Sequence, residues 1–533
     1  GVAFKLEDPE NLLGKGTNPG ISLGLLPHDL PGVDSGNRHL PMNQTFPNGT
    51  IRGSDVMIDP EDHIIGGING IGSGDRMLME CLSEGRANSL PSLATAGTQY
   101  AAWTSSAYAA TREQFKTSVD TFPGVQEKLA EMAGLAYTVD ATRRSTVQMV
   151  DAGENPTVPS SIAKYHTTEM MRTAVNGAMD VHAGKAVQSG PSNYLNHVYD
   201  GTPVAITVEG ANILTRNMLV FGQGSYRLHP NLRPIKSAVD EGRTMSAVMQ
   251  VGKLATGLVG SVVRGLTSSL TPDFLRRTPK QLQDSPLSVY PKDIGRLSAR
   301  FNAIANPLSV GLGGELKIRE DISARMGDAL SHLYMAASVL KKFEDNNRPA
   351  GELSVARWAL ENSLHEADQA MRDILNKENF PNNRLPGLRP ILKLASVFDK
   401  SYKKPSFKLR RDTARAISTN SADRDRMTSS VFVPQNDNDQ VHKLHRAFQL
   451  TNELRKPLAD LKAYSRKNGL KGASQDEILE HAHKAREINY FQKYFIEGKS
   501  RELAALREDI SATDEFVPHD LEQEIKPAAV PGF

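Results

Sequence analysis

The sequence predicts a mainly α-helical protein with a small β domain at its start and a helical extension at its end. Two observations carry this. From Gly1 to about Gly67, glycine and proline punctuate short β-type runs; from Met77 onward, apolar residues recur at helical spacing over long stretches. A length of 533 residues suggests about three domains, and the changes of character divide the chain at 1–67, 68–232 and 233–533. Hydrophobic content of 39%, charged content of 23% and a net charge of +2 describe an ordinary globular chain. That balance gives no electrostatic reason to expect nucleic acid. The one cysteine, Cys81, excludes an internal disulfide and a cysteine metal cluster. Beside Met77, Leu78 and Leu82 it reads as a buried small hydrophobe. There is no signal peptide and no apolar run of about 18 residues, so no membrane span is expected and a cytoplasmic location fits.

Gly1-Val2-Ala3-Phe4-Lys5-Leu6 reads like the middle of a strand, so the chain is expected to be part of a longer protein. Ile21–Leu26 reads as a strand and Pro27–Gly32 as a turn, with Thr50–Arg52 and Asp55–Ile58 continuing the pattern. His28 and His39 have no second histidine at ligand spacing, and no metal site is expected. Gly72-Ser73-Gly74 is too short for a dinucleotide fingerprint. Helical spacing then covers Met77–Phe115, where Pro91 should bend or break the helix near Ser89. Gln126–Ala152 and Ser160–Gly177 follow as amphipathic helices, and later Leu297–Phe343 and Leu353–Leu375. Val251–Arg264 is rich in small and apolar residues and reads as a glycine-packed helix. Its other reading is a peripheral membrane contact, with Lys253 and Arg264 snorkelling. The basic run Lys393–Arg411 reads by default as a solvated loop, with lipid head groups or coenzyme A phosphates as alternatives. Pro518–Phe533 reads as a tail.

The stretch Thr207-Val208-Glu209-Gly210-Ala211-Asn212-Ile213-Leu214-Thr215-Arg216 carries the chemistry. Ile213, Leu214, Met218 and Phe221 can share one buried helical stripe, and Thr207 is placed as its N-cap. Glu209 would then lie in the first turn, beside the small residues Gly210 and Ala211, which permit close approach to its carboxylate. Free N–H groups at a helix start would face the same place. A carboxylate with backbone donors suits proton removal next to a carbonyl. The residues alone leave a second reading open, in which Glu209 merely complements the helix dipole.

Val208 to Arg216 resembles the Tyr-Glu-Gly-Thr-Asn-x-x-x-Arg stretch of the acyl-CoA dehydrogenases, whose glutamate is the catalytic base. The chain is similar over most of its length to the long bacterial fatty-acyl-CoA dehydrogenases with an extra C-terminal helical region. The resemblance implies that Glu209 is the base and that Asn212 and Gly210 belong to the site, toward cofactor and substrate respectively. Leu82-Ser83-Glu84-Gly85-Arg86 resembles the family's substrate-proximal helix, with Arg86 near the substrate or in a surface ion pair. Gly85 stands where an alternative base would lie, which leaves Glu84 a weaker second candidate. Arg112-Glu113-Gln114-Phe115 resembles the Arg-x-x-Phe motif that reaches the flavin dinucleotide across a subunit contact, a task suited to the planar guanidinium fork. Met179–Ala186 aligns with the Gln-x-x-Gly-Gly-x-Gly loop against the cofactor's adenosine half. There Gly184 keeps the pattern, while Asp180, Ala183 and Ala186 depart from it; His182 reads as packing. The resemblance implies FAD as cofactor, fatty acyl-CoA as substrate, an electron-transfer flavoprotein as partner and a homo-oligomer, cytoplasmic or peripheral on the inner membrane. It also implies an N-terminal helical domain and a flavin-binding segment with no counterpart in these residues, so the chain alone is expected to hold flavin weakly. An acyl-CoA oxidase and a catalytically silent helical scaffold are the rival readings.

Overall fold

Short β runs separated by Gly and Pro form hairpins rather than one sheet. In the computed structural model, which describes residues 1–45, 47–223, 260, 278–397 and 400–515, β1 (Val2–Leu6) pairs antiparallel with β2 (Gly20–Gly24), Val2 opposite Gly24. Separately, β3 (Val33–Arg38) pairs with β4 (Gly49–Gly53). Asp55–Ile58 does not extend the ladder. Pro60 supplies no donor to a strand, and Asp59 accepts from the Glu61 N–H at 2.8 Å, starting the helical turn Pro60–His63 instead.

The next helix, α1 (Gly74–Thr111), runs on through Pro91 instead of breaking there. Its fully buried Ala87, Ala94 and Ala101 let neighbouring helices approach on both sides of the proline, and that packing outweighs the lost backbone bond. A two-residue hairpin, β5 (Glu113–Gln114) and β6 (Thr117–Ser118), leads to α2 (Pro123–Asp151), α3 (Thr157–His182) and α4 (Asn196–Thr207). The Ser83 hydroxyl donates to Asn155 Oδ1 at 3.0 Å, just before α3 begins. Ahead of that point the start of α1 packs on β2 at Gly74, and Cys81 is exposed rather than buried.

The expected helix Leu297–Phe343 is two, α5 (Tyr290–Leu312) and α6 (Glu320–Asp345), because Gly313 takes φ 48° and ends the first. Then come α7 (Leu353–Ile374), α8 (Phe407–Ser418), α9 (Gln440–Lys467), α10 (Gln475–Lys484) and α11 (Tyr490–Ser511). The basic run is therefore not a loop at its end. Ser406 caps α8, whose Leu409, Thr413 and Ile417 are buried while Arg410 pairs with Glu127. One contiguous apolar core runs from Ala94 to Ile510, joining α1–α4 to the extension. Arg424 rivets the two: fully buried, its guanidinium lies 4.2 Å from the Phe448 ring centroid and 5.3 Å from that of Trp103. Val251–Arg264, apart from Gly260, and Pro518–Phe533 lie outside the described residues. Among the described residues no helix is long and apolar enough to cross a membrane.

Candidate active site

The predicted N-cap is a helix end. Thr207 is the last residue of α4, and its hydroxyl donates back to Pro203 O at 2.8 Å rather than forward. The β-branched run Val204–Val208 belongs mostly to that helix, because a buried face at Thr202 and Ala205 overrides local propensity. Glu209 thus lies not in a first helical turn but in the link between α4 and the short helix Asn212–Leu214, which continues as a π-helical stretch, Thr215–Gln223. Of the expected buried stripe, Phe221 is buried but Ile213 and Leu214 are exposed. Glu209 has φ 56° and Gly210 φ 96°. A left-handed glutamate is a strained residue, held only where its surroundings over-determine it.

Those surroundings are two cations. Arg86, from α1 and 4% exposed, donates its Nε–H to Glu209 O at 2.9 Å; it is no surface ion pair. Lys164, from α3 and wholly buried, donates through Nζ to Gly210 O and to Asn212 Oδ1, both at 2.7 Å. Asn212 is fixed in turn, its amide donating to Thr168 Oγ1 at 3.0 Å and Glu169 Oε1 at 2.9 Å. The Asn212 side chain is thereby engaged within the chain.

The carboxylate of Glu209 lies over Gly85. A Cβ on Gly85 would stand 2.8 Å from Oε1, so the absent side chain makes the room. Oε2 is buried without a hydrogen-bond partner, as is Arg86 Nη1. Burial raises the pKa of Glu209, against the opposing pull of Arg86 and Lys164. Glu84 is exposed, a solvated helix acid. Beside the loop a cleft of about 1000 Å³ runs between α1, α4 and the segment before α9, with Leu90, Gly97, Val204, Val208 and Val431 on its walls.

The other predicted residues lie elsewhere. Arg112 caps α1, its Nη1 donating to Tyr108 Oη at 3.0 Å. Twenty-six residues of helix separate it from Arg86, about 39 Å at 1.5 Å per residue. Phe115, at the hairpin tip, is 90% exposed. Gly184 is exposed, and a Cβ there would meet nothing within 4 Å. Ala183 keeps a glycine-like conformation, φ 50° and ψ −127°, although it is not glycine. His182 is buried, stacked 4.3 Å from the Tyr108 ring. Sequence reasoning missed Lys164. Its one signal was a polar stripe, Ser160, Lys164 and Thr168, at i, i+4 and i+8 along α3.

The sequence profile described as "Acyl-CoA dehydrogenase, C-terminal, bacterial type" matches residues 227–516, and that described as "Acyl-CoA dehydrogenase, C-terminal domain" matches residues 72–220. Probable acyl-CoA dehydrogenase FadE10 of Mycobacterium tuberculosis is 27% identical over 180 residues, 33% of this chain and 27% of that protein. Protein HemX of Proteus mirabilis is 52% identical over 100 residues, 19% of this chain and 58% of that one. The chain thus spans less than two thirds of the length of either curated relative. Among solved structures, an acyl-CoA dehydrogenase of Bacillus anthracis complexed with FAD shares the fold, with a TM-score of 0.59 at 18% identity, over 75% of this chain and 66% of that one.

Proposed function

The chain belongs to the acyl-CoA dehydrogenase family, and from that premise we propose that it oxidises fatty acyl-CoA thioesters to trans-2-enoyl-CoA, with Glu209 as general base. The observation that carries this reading is the Glu209 carboxylate. It is half-buried, its pKa is raised by burial, one oxygen lacks a partner, and it is held over a glycine by a strained turn. Such a group takes a proton from a carbon acid better than a solvated carboxylate does. No described residue accepts a hydrogen bond from the Glu209 N–H, which suits that donor to a thioester carbonyl. The cleft lined by Leu90, Val204 and Val208 begins one residue before the base and suits an acyl chain of medium or long length.

Bound FAD would supply the acceptor for the hydride that leaves the β-carbon. This chain's contribution to holding it is Gly184, where open space allows close backbone approach, with the neighbouring Ala183 already in a glycine-like conformation. Asn212 contributes by fixing the loop. The long reach of α1 supports a role for Arg112 and Phe115 at the site of another subunit, hence a homo-oligomer. Electron-transfer flavoprotein as acceptor, a place in fatty-acid β-oxidation, and a cytoplasmic or membrane-peripheral location complete the proposal.

The test uses the full-length protein. Anaerobic addition of acyl-CoAs of graded chain length should bleach a yellow flavin spectrum, and turnover should need an electron carrier. A protein that binds no flavin, or whose flavin no acyl-CoA reduces, would overturn the reading. Peroxide formation without a carrier would make it an oxidase.

A further inference from the structure

Resting on Glu209 as the base, we propose that Lys164 is a positioning residue: with Arg86 it clamps two successive carbonyls, those of Gly210 and Glu209, and so fixes the left-handed turn that aims the carboxylate over Gly85.

The turn needs such a clamp. A left-handed non-glycine residue brings its Cβ against the neighbouring backbone, and here it is followed by a second left-handed residue outside any helix or strand. The two ties come from different helices, Arg86 on α1 and Lys164 on α3, so the turn cannot shift toward either without breaking one of them. Lys164 is itself over-determined. Its second bond goes to Asn212 Oδ1, whose amide is locked by Thr168 and Glu169 on the same helix as the lysine. A third, longer contact reaches Ile206 O at 3.5 Å, in the last turn of α4. One ammonium therefore gathers the end of α4, the turn and the start of the next helix.

Burying an ammonium among neutral oxygens is costly. Lys342, the comparable buried lysine in the extension, has a carboxylate partner in Asp140 at 2.7 Å. Among the described residues Lys164 has hydrogen bonds only to amide and backbone oxygens, with the carboxylates of Glu209 and Glu169 near enough to favour its charge without bonding it. A purely structural bond to Gly210 O could be made by a neutral donor; the charge acts on what lies across the turn. Lys164 and Arg86 both draw the Glu209 pKa down while burial pushes it up, and burial brings Lys164 itself to about 8. Near neutral pH the lysine still carries its charge and so opposes the rise that burial gives the base.

Removing the cation should do two things that a packing role would not. The turn loosens, so kcat falls while KM changes little, since a wholly buried Lys164 has no surface to offer the substrate. The Glu209 pKa also rises, so the acid limb of kcat moves to higher pH. In full-length, FAD-loaded enzyme, Lys164→Met should lose at least about ten-fold in kcat and show that shift. Lys164→Gln, which can still donate to Gly210 O, should regain part of kcat yet keep the shifted limb; it carries the same readouts should the methionine variant not fold. An unmoved limb with unchanged kcat in either variant overturns the clamp. Glu209→Gln run alongside separates the two claims. If it turns over at the normal rate, the base assignment fails; if it is inactive while Lys164→Met is normal, only the clamp fails.

Discussion

Two regions bury charge in opposite ways. Where the extension meets α2, burial comes with partners. Lys342 meets Asp140, which also takes Arg143 at 2.8 Å and Arg144 at 2.9 Å; Glu352 takes the Tyr137 hydroxyl and Arg426, each at 3.1 Å. Around Glu209, the carboxylate Oε2 and Arg86 Nη1 are buried without hydrogen-bond partners, and the backbone at Glu209 and Gly210 is left-handed. A paired buried charge holds two surfaces in one register. One without such a partner costs stability, and its place beside a cleft is what motivates the proposed role of Glu209. The difference lies in ion pairing. Asp140 is met by Lys342, Arg143 and Arg144 within 2.9 Å, although Lys342 Nζ and Asp140 Oδ2 too lack well-directed hydrogen bonds. Glu209 feels Arg86 and Lys164 only across the turn.

The comparison breaks first at Glu209. Glu209→Gln keeps shape and backbone but removes the proton acceptor, so the chemical step should fall by about 10²–10⁴ with little change in thioester affinity. Glu84→Gln, an exposed acid, should retain most activity. The reverse result would move the base onto α1. Next comes the paired region. Lys342→Met leaves Asp140 deprived of its buried partner and should cost roughly 3–5 kcal/mol in denaturant unfolding, while kcat of the folded fraction stays put. A loss under 1 kcal/mol would show that Arg143 and Arg144 suffice. Arg112→Ala should leave the fold intact and weaken FAD retention in the full-length protein by about 1.5–3 kcal/mol, the worth of a charge-assisted hydrogen bond. Unchanged retention would remove Arg112 from the cofactor.

Gly85→Ala sharpens the contrast, because stability and activity should move apart. An alanine inside α1 favours the helix by roughly 0.5–1 kcal/mol over glycine, yet its Cβ would stand 2.8 Å from Glu209 Oε1. The carboxylate must turn aside, and a misplacement of that order costs up to about 10²-fold in rate. A variant that is both more stable and fully active would show that the carboxylate has room to spare.

Much of this was legible in the sequence, and the exceptions share a cause. Alternating short runs and long periodic ones placed β1, β2, β4, α1, α2, α3 and α7, and α5 with α6 as a single helix, while α4 went unread. The Val208–Arg216 motif pointed to Glu209 as the candidate base. Thr207 misled because threonine before a glutamate reads as a cap, while the burial of Thr202 and Ala205 that extends α4 to it is a tertiary fact. Lys164, signalled only by its place in a polar stripe, was missed for the same reason. A lysine in a helix is ordinarily solvated, and only the crossing of α3 beneath the turn makes this one a donor to Gly210. Asp140 and Lys342 lie far apart in sequence, and nothing local pairs them. What one chain cannot show by itself is which polar residues its own fold will close over.

His166 stands where the two regions meet, on α3 two residues past Lys164, its ring 5.0 Å from that of His332 on α6. Nε2 of His166 is buried without a hydrogen-bond partner, and burial pushes its pKa down to about 3, with His332 and Arg216 adding to that and Asp328 opposing it. The unfolded chain takes up this proton near 6.5; the folded chain does not until far lower. Protons bound therefore favour the unfolded state, and stability should be full above about pH 6.5 and fall as pH drops below it, by at most about 1.4 kcal/mol per pH unit for this one group. His182, lowered to about 4, adds a similar slope. Urea midpoints at pH 7, 6 and 5 measure the sum, in a window above the usual carboxylate range. His166→Phe replaces the unpartnered imidazole by an apolar ring of similar breadth, so the slope between pH 6 and 5 should shrink by about one proton. The Asp328–Arg216 bond beside it should persist, keeping the neutral-pH midpoint close to its original value. An identical slope in both proteins would mean that His166 protonates in the folded state as easily as in the unfolded one, and that α6 does not seal it from water.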